Sequence, residues 1–169
     1  MISRGFLAAA LCLGLGWASP ALARCPAPPS TGTPAVNTAH IFCGEVRGDG
    51  RAVGFHSRPG GVNPGTVSET DEIRRDRRVP GVYALHRFRI TEHGRSGIKS
   101  LSTMFPDHCD AEAVIAAIQH AYRTGTQEDR SFSGQSGPTC MDSTGKPFRI
   151  QGFTATRGGR VVVTTAYPN

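Results

Sequence analysis

Residues 39–57 read AHIFCGEVRGDGRAVGFHS, two short runs rich in β-branched and aromatic residues on either side of Arg47-Gly48-Asp49-Gly50-Arg51. The glycines supply the positive-φ positions that a tight connection needs, so the stretch predicts a β-hairpin with His40 near one outer end and His56 near the other. An odd number of loop residues places residues of equal parity opposite each other, which turns the two even-numbered histidines to one face; a two-residue loop separates them. The sequence permits either register.

Towards the C-terminus, GVYALHRFRIT (81–91) is a strand with Val82, Ala84, Phe88 and Ile90 on one parity and His86 interrupting it. After a turn over residues 92–97, IKSLSTMF (98–105) is another strand. Asp110 caps a helix to about Thr124, because Val114, Ile115, Ile118, Ala121 and Tyr122 recur at helical spacing and Gly125 supplies a stop. A second hairpin joins PFRIQGFTA (147–155) to RVVVTTAY (160–167) through Arg157-Gly158-Gly159, with Val161, Val163, Thr165 and Tyr167 on one face. One helix on antiparallel strands gives an α+β fold. Between the first hairpin and these strands, residues 58–81 are bounded by Pro and Gly. Their middle, ETDEIRRDRR, balances four acids against four arginines and reads as a solvated loop or short surface helix.

Towards the N-terminus, CPAPPSTGTPAVNT (25–38) has four prolines and little to bury, so residues 24–38 form an extended arm and the domain proper occupies 39–169. Before it, MISRGFLAAALCLGLGWASPALA carries Arg4, an apolar run and Ala21-Leu22-Ala23, the order of a secretory leader, so residues 1–23 are expected to be cleaved. The apolar run falls short of the roughly 20 residues of a membrane span. A secreted or periplasmic protein, with no membrane segment once mature, is therefore expected. Its even set of cysteines, Cys25, Cys43, Cys109 and Cys140, then predicts two disulfides. Three pairings are possible; nearest neighbours in sequence give Cys25–Cys43 and Cys109–Cys140. No short cysteine spacing in register with a histidine pair suggests a metal site. The net charge of +6 makes a polyanionic partner plausible and says nothing of fold.

Two histidines, a lysine and a hydroxyl pair suffice to break an RNA phosphodiester without a metal. A base takes the 2′-hydroxyl proton, an acid protonates the leaving 5′-oxygen, and a cation stabilises the charge gathered on phosphorus. Histidine suits the first two tasks because both of its protonation states are available near neutrality. Lys99 is one of two lysines among seventeen arginines and stands in a strand rather than a charge run.

The motifs TAHIFCGEV, AVGFHSRPGG, KSLSTMFP and TTAYP, in that order, resemble those of bacterial EndoU-type endoribonucleases. The resemblance implies two small sheet-containing lobes flanking a positive cleft, with active groups placed as in pancreatic-type ribonucleases. It implies that His40 is the general acid, His56 the general base and Lys99 the third member of the triad, with Tyr167 orienting the ribose and Thr165 near a uracil edge. The implied reaction is transesterification 3′ of uridylate in single-stranded RNA, giving a 2′,3′-cyclic phosphate and a 5′-hydroxyl. Some members of the wider family depend on Mn²⁺, but no carboxylate cluster is evident in this sequence, so metal-independent action by a monomer is the expectation. Two other uses of the fold follow: an exported toxin restrained by an immunity protein, or an inactive secreted RNA-binding domain.

Overall fold

The computed structural model describes residue 25 and residues 27–68, 72–76 and 78–169; the expected leader lies outside the described residues. In chain order the elements are β1 (Ala35–Val36), a helical turn (Ala39–Cys43), β2 (Glu45–Val46), β3 (Ala52–Val53), β4 (Val67–Ser68), β5 (Glu72–Arg75), β6 (Tyr83–Glu92) and β7 (Arg95–Met104). There follow α1 (Ala111–Thr124), β8 (Thr126–Glu128), β9 (Ser131–Gln135), β10 (Arg149–Arg157) and β11 (Arg160–Pro168). The fold is α+β, as the sequence implied.

One sheet has the order β1-β11-β10-β9-β8, with β1 the parallel strand at its edge. The arm is thus built into the sheet at its end, Ala35 lying opposite Val162 and Val36 opposite Val163. Helix α1 covers one face of this sheet. Val114, Ile118 and Ala121 share a core with Phe132, Ile150, Val163 and Ala166. Asp110 caps the helix by accepting from Ala113 N at 2.8 Å. Gly125 ends it as expected, but without the left-handed backbone common at helix ends: its φ is −91°, and a Cβ there would fall 2.2 Å from Ser133 O. Close approach of the helix end to β9, not backbone handedness, demands the glycine.

In the second sheet β6 carries β7 along one edge and, on the other, β4 and β5 in succession. The expected loop or helix in the charged segment is therefore partly a strand, since Glu72–Arg75 pairs with residues 83–86 of β6. The β2-β3 hairpin packs on this sheet, and Val46, Phe55, Leu85, Phe88, Ile90 and Met104 make a second core. The alternation expected along β6 is corrected at Arg87, whose φ of 48° resets the strand. Tyr83 and Leu85 are buried before it and Phe88 and Ile90 after it. The same irregularity runs through β7, where pairing passes from His86↔Leu101 to Phe88↔Lys99. Lys99 and Ser102, three residues apart in a strand, consequently point the same way and meet.

Both disulfides join nearest neighbours, Cys25 to Cys43 and Cys109 to Cys140. Among the described residues no helix is long and apolar enough to cross a membrane.

Candidate active site

The first histidine is carried by a helical turn, not by the strand that HIFCGEV suggested. Gly44 N donates to Ala39 O at 3.1 Å, closing a wide turn, and only Glu45 and Val46 pair with β3. The turn leaves carbonyls unspent, and the segment after β3 uses them. Phe55 N donates to His40 O at 2.7 Å and His56 N to Ile41 O at 2.7 Å. Gly54 makes this approach possible: at φ +75° its own Cβ would lie 2.3 Å from His40 O. Phe55 follows at φ 60°, an unfavourable conformation for a bulky residue. It is held by full burial and an edge-on contact with Phe88, ring centroids 5.5 Å apart.

This pairing brings the histidine rings to 6.0 Å between centroids, at a tilt of 32°. Both are nearly buried, His40 at 9% exposure and His56 at 7%. The hairpin has an odd loop, Val46 facing Ala52, yet the two rings meet because a turn and a strained strand end lie side by side, not because they share a hairpin face.

The two rings sit in opposite electrostatic settings. His40 Nδ1 donates to Glu45 Oε2 at 3.2 Å, and Glu45 Oε1 accepts from Asn37 Nδ2 at 3.1 Å. The hydrogen bond from His40 is the chief influence holding the Glu45 carboxyl below its ordinary range. His56 Nδ1 lies 3.1 Å from Thr103 O and 3.0 Å from Ser102 Oγ. A carbonyl only accepts, and Ser102 spends its own proton on Phe55 O at 2.6 Å. Nδ1 of His56 therefore carries the hydrogen, and in the neutral ring Nε2 presents the lone pair. Burial, then the nearby Lys99 charge, pushes His56 well below the ordinary imidazole value, with the Thr103 carbonyl opposing.

Lys99 donates to Gly54 O and, at 2.9 Å, to Ser102 Oγ. Burial lowers its ammonium from 10.5 to about 8. Ser102 thus links the lysine to the second histidine, and Gly54 O ties the lysine to the segment that packs against the turn carrying the first.

Tyr167 reaches the same place from the other sheet, its ring centroid 5.4 Å from that of His56. Thr165 is two residues away on the same face of β11. The face is not the one expected, because Phe153 pairs with Thr165 and Thr154 with Val163, leaving Thr164 as a bulge. Val163 turns into the core with Ala166, and Thr165 and Tyr167 look outward. His40, His56, Lys99 and Tyr167 thus converge on the seam between the two sheets, and Thr165 lies next to Tyr167 on its strand face.

Arg58, next in line after Ser57, is committed elsewhere. It donates to Tyr83 OH at 2.6 Å and Asn63 Oδ1 at 3.3 Å and lies 3.5 Å from Asp107, which explains the Arg-Pro-Gly-Gly run as a structural joint. Glu45, Ser102 and the Thr103 carbonyl were not legible from sequence. The available signal was an acid five residues after His40, which on a strand belongs to the opposite face and only a helical turn brings within reach. Among the described residues no group of three His, Cys, Asp or Glu side chains is placed to hold one metal ion.

The family model described as bacterial EndoU nuclease matches residues 35–169. A protein of Bacillus cereus named Toxin is 31% identical over 97 residues, which cover 56% of this chain. The chain spans 17% of that protein's length. No solved structure matches the chain.

Proposed function

The chain belongs to the bacterial EndoU nuclease family, and from that premise we propose that it is a metal-independent endoribonuclease cutting single-stranded RNA 3′ of uridylates. The observation that carries this reading is the opposed setting of two adjacent rings, His40 backed by a carboxylate and His56 by a cation. His56 Nε2 takes the proton of the 2′-hydroxyl, and the freed oxygen attacks phosphorus. His40 Nε2 delivers a proton to the departing 5′-oxygen, and Lys99 stabilises the charge on the phosphoryl oxygens. The products are a 2′,3′-cyclic phosphate and a 5′-hydroxyl. Tyr167, against His56, orients the ribose, while Thr165 beside it faces the base. An unstacked nucleotide suits both contacts, which favours single strands.

Export behind a cleaved leader of residues 1–23 is consistent with two disulfides in the folded chain, with residues 24–38 as an arm and 39–169 as the nuclease domain. The relative named Toxin supports use against another cell, in which case an immunity protein is the expected partner.

The test is incubation with an oligoribonucleotide holding one uridine, and with the same strand holding 2′-deoxyuridine, each with and without EDTA. Cutting of the first strand alone, unaffected by EDTA and ending in a cyclic phosphate, is expected. Cutting of the deoxy strand contradicts the mechanism, and loss of activity in EDTA contradicts metal independence. Synthesis inside a bacterium of residues 24–169 should arrest growth, and H56A should not, if the toxin reading holds.

A further inference from the structure

The first sheet has two faces of different character. The face under α1 is closed by Ile150, Gly152 and Ala166, whereas the other carries Thr165 and Tyr167, meets His56 at its Tyr167 end and leaves Phe153 in solvent. Directly across from Thr165 stands Phe153, and directly across from Tyr167 stands Gln151, so all four side chains share that second face. Gln151 is paired in turn with Ser133, and Phe153 with Ser131. Phe153 is 40% exposed, a large aromatic left in solvent in the middle of a strand. Two residues before Gln151, on the side away from Phe153, Arg149 lies on the same face and reaches Ser133 Oγ at 3.3 Å.

We propose that this face is a second nucleotide-binding subsite, in which Phe153 stacks on the base of the nucleotide neighbouring the scissile uridylate and Arg149 meets the backbone phosphate. The proposal rests on the reading of Tyr167 and Thr165 as the contacts of the cleaved nucleotide. Adjacent positions along β10 on one face are about 7 Å apart, so Phe153 lies one such step from the Tyr167–Gln151 pair. An exposed aromatic ring beside polar groups and a cation suits a single strand, because every base offers a flat face for stacking while hydroxyl and amide groups accept varied edges. The bulge at Thr164 sets the limit of the platform, since beyond it Val163 belongs to the buried face.

Fluorescence anisotropy with a labelled hexanucleotide containing one uncuttable 2′-deoxyuridine reads the subsite without requiring cleavage. Two further probes lack the base on the 5′ or the 3′ side of that residue. Removal of one flanking base is expected to weaken binding to the wild-type protein by about ten-fold. F153A should bind the intact probe about as weakly, lose nothing more on removal of that base, and be rescued by F153Y. Equal affinity of F153A and wild type for the intact probe overturns the proposal. So do independent, multiplying losses, absence of hexanucleotide binding by the wild type, or an effect of F153A on self-association alone. Binding with this pattern but without cleavage of the all-ribose strand leaves the subsite standing and removes the proposed reaction.

Discussion

Burial and the neighbouring ammonium keep His56 neutral to lower pH than a free imidazole, which has two consequences of definite sign. The low-pH limb of kcat/KM, where the base becomes protonated, should lie below the ordinary value near ~6.5. Stability should fall as pH drops below that value, because the unfolded chain then binds a proton that folded His56 takes up only at lower pH. Lys99 works in another window. Between about pH 8 and 10.5 the folded protein has released a proton that the unfolded chain still holds, so stability rises with pH through that range. K99M is therefore expected to raise the Tm at pH 7, by a margin that shrinks towards pH 10.5, while abolishing cleavage. Thermal melts at the two pH values check it; a lowered Tm at pH 7 contradicts the cost assigned to the buried ammonium. E45A should lower kcat with little change in KM, by less than the roughly 10²–10⁴ expected of H40A, as befits a residue that positions the acid. The histidines and Lys99 were legible in the motifs, whereas Glu45 was not, because its partnership exists only if residues 39–43 wind into a turn.

At the scale of elements, irregular backbone does what the regular periodicity does not. Gly54 and Phe55, both at positive φ, let the strand end lie against the helical turn. G54A has no room for its methyl group beside His40 O, and strain of this kind costs on the order of 1–3 kcal/mol before any clash. A lower Tm together with loss of cleavage is expected, and a variant with wild-type activity would contradict the close contact. The helix and both hairpins could be read from spacing and turn residues. The departures at Arg87, at the Thr164 bulge and in the 39–43 turn could not, since an irregularity that resets a strand or winds it into a turn leaves no mark in a two-residue alternation until its neighbours are known. They also decide which side chains meet: the first aligns Lys99 with Ser102, the second turns Thr165 and Tyr167 out of the core.

For the whole molecule, the site lies where two separately packed sheets adjoin, and the disulfides bear on it unequally. Cys43 ends the turn that carries His40, so the Cys25–Cys43 bridge holds the element bearing the proposed acid as well as closing a separation of 18 residues. Its removal is expected to cost about 3 kcal/mol and to depress kcat beyond that of the equally destabilised C109A/C140A protein, which denaturant melts and rates measured side by side would show. Convergence of His40 from the turn, Glu45 from β2, His56 from the strand end, Lys99 from one sheet and Tyr167 from the other is the central claim, with the proton passing in at His56 and out at His40. A uridine substrate whose 5′-bridging oxygen is replaced by sulfur tests it most directly, because a thiolate departs without needing an acid. Rates of wild type, H40A and H56A on this strand and its oxygen parent should show H40A restored towards wild type and H56A still low. Restoration of H56A, or of neither protein, would contradict the assignment.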